Sequence, residues 1–303
     1  MAGNRKEVGK NRLLSKRKYI AIKELHELGY SITELCKCAK IGRASYYKWL
    51  NHSETFRDKE NRALLEEITK LYSEVKGIYG YRRVTLNINR RLGSRYNNKR
   101  IYRLMKSMNI CAVIRKKRKN YIYSTPQITA ENILNREFTA ERINEKWLTD
   151  VTEFKLSNGK KAYLSAILDL ADNSIISYVL GASNNNKLVF DTLDKAILSN
   201  PTATPLFHSD RGFQYTSSSF RNKLNAINAT QSMSRVGRCI DNGPMEGFWG
   251  ILKTEMYYLR RFDTYEELKQ AIDEYIDFYN TKRLQKKLKG MAPIEYRSHT
   301  LIA

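Results

Sequence analysis

The chain contains no run of eighteen apolar residues, which excludes a membrane-spanning helix of ordinary length and leaves no membrane partner to expect. Met1 to Lys18 is polar and basic, without the apolar stretch and small-residue cleavage site of a secretory leader, so the cytoplasm is the default compartment. The four cysteines, Cys36, Cys38, Cys111 and Cys239, show no C-x-x-C spacing and no neighbouring His pair. Neither a zinc site nor a disulfide framework is indicated. A sustained heptad run is also missing, so no coiled coil is expected from this chain alone.

Acidic residues are scarce in one part of the chain. Residues 1–125 carry 31 Lys and Arg against 10 Asp and Glu, a net of +21, whereas residues 126–303 carry 23 against 21, a net of +2. A strongly basic portion joined to a nearly neutral one fits a nucleic-acid-gripping region fused to a carboxylate-bearing catalytic region. Charge alone leaves a generally adhesive basic protein equally open. At 303 residues the chain has room for two or three domains.

The basic portion reads as helical. Residues 16–28 are amphipathic and stopped by Gly29. Ser31 and Glu34 form a capping-box pattern opening a short helix, Ile41-Gly42 makes a turn, and Arg43 to Leu50 forms the next helix. Arg43, Tyr46, Tyr47 and Lys48 are the candidate DNA contacts of this first helix-turn-helix, residues 1–55, and Trp49 is assigned to its core. A second helical unit, residues 56–119, brings Arg82 and Arg83 after Tyr79-Gly-Tyr. It continues with a helix capped by Asn98, with Tyr102 inward and Lys99, Arg100 and Arg103 outward, and ends in the basic run Arg115, Lys116, Lys117, Arg118 and Lys119. Basic residues interleaved with Tyr121 and Tyr123 favour phosphate contact over a merely solvated face. Residues 120–142 read as a linker.

From residue 143 the pattern turns strand-like. Three strands (149–156, 162–170, 174–180) are joined by the Asn158-Gly159 hairpin and a turn at 171–173, and helices then alternate with short strands at 205–208 and 230–234. Two helices close the pattern, one from Pro244 to about Arg260 and one capped by Thr264 and Glu267 that runs to Asn280. The fold class expected is α/β, a sheet flanked by helices.

Three carboxylates stand out: Asp150 inside the first strand, Asp210 at the end of a short apolar strand, and Glu246 in the first turn of a helix, thirty-five residues beyond Asp210. Each has an ordinary reading: an edge-strand surface residue, a turn former, a helix-dipole partner. If the three converge, their repulsion demands divalent cations, because like charges ~4 Å apart cost roughly 4 kcal/mol even at moderate effective dielectric. Glu246 lies beside the apolar stripe Met245, Phe248, Trp249, Leu252, Met256 and Leu259, with Lys253 two turns along its own side of the helix. That arrangement suits a metal ligand beside a phosphate clamp.

The motifs Trp147-Leu-Thr-Asp150, His208-Ser-Asp-Arg-Gly-Phe-Gln-Tyr215, Gln231-Ser-Met-Ser234, Asp241-Asn-Gly-Pro-Met-Glu246, Leu252-Lys-Thr-Glu255 and Tyr279-Asn-Thr-Lys-Arg283 resemble those of DDE transposases of insertion-sequence family three. Tyr46-Tyr-Lys-Trp49 and Tyr79-Gly-Tyr-Arg-Arg83 extend the resemblance over nearly the whole chain. It departs at Phe213 and Gly247, where the family often carries small or hydroxylated residues. The resemblance implies a retroviral-integrase-like, RNase H-like core over residues 143–303, with Asp150, Asp210 and Glu246 as the catalytic, metal-binding triad and Asp169 structural or secondary. It further implies two Mg²⁺ ions (Mn²⁺ a plausible substitute), Lys253 on a phosphate near the cleaved end, and His208 and Gln231 orienting the strand. The activity implied is strand cleavage at element ends followed by strand transfer. The partners implied are double-stranded DNA, an upstream reading-frame product supplied as a frameshift fusion, and further copies of the chain on DNA at the nucleoid. Two alternatives stay open: a sequence-specific DNA-binding regulator without catalysis, and a nuclease that cuts but does not join.

Overall fold

The computed structural model describes residues 17–51, 55–114, 132–235 and 239–302. The chain divides into two units, Met1–Glu66 and Glu67–Ala303. In the first unit, α1 (residues 17–27) ends at Gly29, whose φ of +99° suits only glycine at no cost. α2 (Ile32–Ala39) stops where Lys40 adopts the left-handed conformation, and α3 (Arg43–Leu50) follows. These helices close on Ile22, Cys36 and Tyr46, with Tyr19, Ile32, Leu35 and Trp49 packed around them.

Two expectations fail in this unit. Ser31 makes no side-chain cap to α2, so the capping box does not form. Tyr46, expected at DNA, is fully buried, its ring 6.3 Å from that of Tyr19 and 6.0 Å from that of Trp49. Trp49, expected in the core, packs half-buried against this cluster, and Tyr46 fills its centre. Arg43, Tyr47 and Lys48 do stand exposed. Because so small a cluster has little else to hold it, Tyr46→Ala is expected to cost about 3–5 kcal/mol, the usual range for a large buried aromatic. Residues 17–51 should then lose amide-exchange protection while the sheet of the second unit keeps its own; equal protection in both proteins would contradict the assignment.

α4 (Phe56–Glu74), α5 (Tyr81–Arg91) and α6 (Asn98–Ser107) form the next helical run. The cap of α6 is Asn97, one residue before the expected Asn98, with its side chain accepting from the Lys99 N–H. Tyr102 is exposed rather than inward and meets Tyr81 edge-on. The run Arg115 to Lys119, with Tyr121 and Tyr123, lies outside the described residues.

A five-stranded sheet follows: β1 (Lys146–Lys155), β2 (Lys161–Asp169), β3 (Ile175–Gly181), β4 (Leu206–Ser209) and β5 (Thr230–Met233). Its order is β3-β2-β1-β4-β5, with β1 to β3 an antiparallel meander and β4 and β5 added in parallel beside β1. This is the RNase H-like arrangement. Parallel addition needs crossovers, supplied by α7 (Asn186–Ser199) and by α8 (Phe213–Thr216) with α9 (Ser218–Ala226). Alternation along the strands sends Trp147, Ile167 and Phe207 to the face covered by Val189, Leu193, Phe220 and Leu224. Leu148, Ala166 and Leu168 go to the other face, covered by α10 (Gly243–Glu255) and α11 (Tyr265–Thr281). The Thr264/Glu267 capping box of α11 forms as expected.

α10 ends at Glu255, sooner than the sequence suggests, and a 3-10 turn (Tyr257–Leu259) leaves Leu259 exposed. A final helix, α12 (Pro293–Ile302), was not foreseen. Its Arg297 reaches Asp169 at 2.8 Å, confirming that Asp169 is committed to structure. Residues 132–138, within the stretch read as linker, are docked on the sheet: Leu134 is buried in the core, and the N–H groups of Ile133 and Leu134 donate to the Ser232 hydroxyl. Among the described residues no helix is long and apolar enough to cross a membrane.

Candidate active site

Strand register brings the first two carboxylates together. Leu148 of β1 pairs with His208 of β4 in parallel, so Asp150 and Asp210 each lie two residues beyond the same pair. Side chains recur on one face every second residue, and neighbouring strands run about 4.8 Å apart, which places these two side by side. Pairing between β1 and β4 ends at that point, and Asp210 begins the turn into α8. Gly212 makes this turn tight: its N–H donates to Asp210 Oδ1 at 2.9 Å, and a Cβ there would press on the side-chain oxygens of Gln214, at 2.8 Å, and Asp210, at 3.1 Å.

Glu246 arrives from above on the first turn of α10 and is exposed. Two directional bonds tie that helix to β1. The buried Asn242 amide donates to the Thr149 carbonyl at 2.9 Å, and the Trp249 indole N–H donates to Asp150 Oδ2 at 3.0 Å. Just before α10, Asp241 is fully buried and accepts from Arg235, Arg136 and Asn132, which holds its carboxyl well below the usual range. Asp241, Asn242 and Trp249 were not singled out from sequence as supports of the site. The signal for them is the motif Asp241-Asn-Gly-Pro-Met-Glu246 that holds the first two and the apolar stripe that holds Trp249.

Burial, the charge of Asp210 and, more weakly, that of Glu246 push Asp150 up to about 7, against the Val151 N–H and the Trp249 indole, which favour the ionised form. Burial likewise raises Asp210, opposed by the Gly212 N–H. The donor set is oxygen-only and self-repelling, which fits hard divalent cations, and the half-buried Lys253 is near enough to feel the charge of Asp150. Among the described residues no group of three or more His, Cys, Asp or Glu side chains is gathered closely enough to hold a metal ion. Glu246 stands near enough for its charge to act on Asp150, yet outside such a cluster.

Lys253 is half-buried with its ammonium 5.2 Å from the Phe154 ring centre, and burial lowers its pKa while the charges of Glu153 and Asp150 raise it. Three more expected DNA contacts are held by bonds within the protein, one of them fully buried. His208 is fully buried with both ring nitrogens bonded, to the Ser232 hydroxyl at 2.9 Å and the Ser234 hydroxyl at 3.1 Å, and burial pushes it down to about 4, so it is neutral. The Gln231 amide donates to the Tyr215 carbonyl at 2.8 Å. Arg83 turns inward to Glu255 at 2.9 Å. Arg82, Lys99 and Arg103 are exposed, and Arg100 lies half-buried over the Tyr96 ring at 5.3 Å.

Family models described as integrase core domain match residues 140–239 and 246–301, and one described as an HTH-like domain matches residues 59–118. The chain is 43% identical over 285 residues to "Putative transposase InsK for insertion sequence element IS150" of Escherichia coli K12, covering 92% of this chain and 98% of that one. It is 42% identical to an uncharacterized transposase-like protein of Haemophilus influenzae over 68% of this chain and 94% of that one. Among solved structures, the HTLV-2 integrase catalytic core domain in complex with magnesium matches 51% of this chain and 96% of its own, with a TM-score of 0.42 and 20% identity. The family models and the transposase relatives give the chain an integrase core and, with it, the polynucleotidyl transferase class. The chain belongs to the transposases of insertion-sequence family three and acts in DNA transposition.

Proposed function

We propose that Asp150, Asp210 and Glu246 form the catalytic centre that cleaves DNA strands at element ends and joins them to target DNA. The observation that carries this reading is the β1–β4 register, which sets Asp150 and Asp210 two residues beyond the same pair, beneath a helix that presents Glu246 near enough for its charge to act on Asp150. The three carboxylates would hold two Mg²⁺ ions, with Mn²⁺ a workable substitute, which supply Lewis acidity and charge neutralisation at the reacting phosphate. In cleavage a water oxygen bonds to phosphorus and the bond to the 3′ oxygen breaks, freeing a 3′-hydroxyl. In joining, the oxygen of that 3′-hydroxyl bonds to a target phosphorus as the target's own bond from phosphorus to its 3′ oxygen breaks and that oxygen leaves as a protonated hydroxyl, without a covalent protein-DNA link. Trp249 and Asn242 fix Asp150 and the start of α10. Lys253 binds a phosphate near the cleaved end.

Arg43, Tyr47, Lys48, Arg82, Lys99, Arg100 and Arg103 supply phosphate and base contacts, joined by the run Arg115 to Lys119. Several copies act together on DNA, fused to the upstream reading-frame product. The test is a Mg²⁺-dependent assay on element-end DNA, with the chain alone and with the fusion. Cut ends and joined products support the reading. End binding without any cutting, even by the fusion, would favour the regulator instead, and cutting without joining the nuclease.

A further inference from the structure

Three sequence motifs, Tyr79-Gly-Tyr-Arg-Arg83, Leu252-Lys-Thr-Glu255 and Tyr279-Asn-Thr-Lys-Arg283, meet at one carboxylate, Glu255, to which no role has been assigned. Glu255, the last residue of α10, is buried and accepts four hydrogen bonds. Arg283 donates from Nε at 2.9 Å and from Nη2 at 2.8 Å, Arg83 of α5 donates from Nη1 at 2.9 Å, and the Tyr275 hydroxyl of α11 donates at 2.9 Å. Each guanidinium also lies over a tyrosine ring of its own motif, Arg83 at 5.2 Å from Tyr79 and Arg283 at 5.4 Å from Tyr279. Burial works to raise the Glu255 carboxyl, but the bonds and charges of the two arginines hold it below the usual range, so it is ionised in place.

An ionised cluster of this kind is a poor way to gain stability, since well-packed apolar residues would do as well. What it supplies is direction. Asn242 and Trp249 bond the start of α10 to β1, while Met245, Phe248 and Leu252 grip it by apolar packing that tolerates small rotations, so the tilt of the helix depends on what holds its other end. Glu246 and Glu255 lie nine residues apart, which is about 13.5 Å along the helix and about 180° around it. Fixing Glu255 on the inner side therefore fixes how far Glu246 leans toward Asp150 on the outer side.

We infer that Glu255 is a positioning residue for the catalytic centre, setting the pose of Glu246 through its bonds to Arg83 and Arg283 and thereby tying the helix that carries Arg82 to the helix that carries Glu246. The inference rests on the triad reading above.

Removing Glu255 itself would strand the buried Arg283 charge and could unfold the chain, so the informative variant is Arg83→Met, which leaves the Arg283 pair intact. In the full chain, its affinity for end DNA without divalent metal should stay within about twofold, while the single-turnover cleavage rate at saturating DNA falls about tenfold or more and the Mg²⁺ midpoint rises. If this variant melts early, Arg83→Lys carries the same comparison, because it keeps the charge but offers a single contact point. Weakened DNA binding with an unchanged saturated rate would make Arg83 a DNA contact and overturn the inference, as would no change in either quantity. Asp150→Asn run in parallel separates the two claims: if it still cleaves, the triad reading fails, whereas if it is dead and Arg83→Met is unimpaired, only the positioning role of Glu255 fails.

Discussion

Glu246→Gln should reduce strand cleavage by about a thousandfold or more, equivalent to roughly 4 kcal/mol of lost transition-state stabilisation, while leaving affinity for element-end DNA intact. The substitution preserves shape and removes one negative charge from an exposed position, so packing has nothing to lose. It also relieves part of the repulsion that pushes Asp150 up. Without divalent metal the variant should therefore melt at the wild-type temperature or slightly above it. Adding Mg²⁺ should raise the melting temperature of the wild type, by mass action on the folded state, and do so markedly less for the variant. A variant that cleaves at the wild-type rate, or one equally stabilised by Mg²⁺, would remove Glu246 from the centre.

Arg297→Leu should destabilise the protein by about 3–5 kcal/mol at neutral pH, the usual cost of leaving a buried charge without its partner. Arg297 serves two fully buried carboxylates. Its Nη2 lies 2.8 Å from Asp169, and its Nε lies 3.0 Å from Asp172 in an ion-pair contact without hydrogen-bond alignment. Burial and the charge of Asp172 already push Asp169 up to about 6, against the N–H groups of Ala171 and Asn144 and the charge of Arg297. A carboxyl raised in the folded state contributes stability that is full below its unfolded value of about 4 and is lost as pH rises through its folded value. Removing Arg297 raises that folded value further. The gap between variant and wild type should thus be widest above about pH 6 and narrow toward pH 4, as read from urea midpoints. A gap that widens on acidification would show that Asp169 is not the group left stranded.

The catalytic candidates were legible because their chemistry conflicts with their setting: a carboxylate inside an apolar strand and another at the end of one ask for a reason that propensity does not give. Parallel register then turns two separate oddities into one pair, and register follows from which residues are apolar. The direction in which a side chain points at an amphipathic boundary was not legible. Arg82 and Arg83 are about 100° apart on one helix, and only the location of Glu255, far along the chain, decides which turns inward. His208 carries the same ambiguity, resolved by Ser232 and Ser234 on the neighbouring strand and the turn after it. Tyr46 and Trp49 are both large aromatics one turn apart, and helical periodicity cannot say which fills the centre of a small cluster. α12 escaped because its described anchor, Arg297, binds carboxylates on a distant turn rather than showing an apolar stripe.

The most direct measurement compares wild type with Asp150→Asn on labelled element-end DNA in Mg²⁺, scoring end binding, strand cleavage and joined product in the same samples. Asp150 is the carboxylate that faces both of the others. Its amide variant should bind ends as the wild type does and yield neither cut strands nor joined product. Joined product from Asp150→Asn at a rate comparable to wild type would show that the chemistry resides elsewhere in the chain.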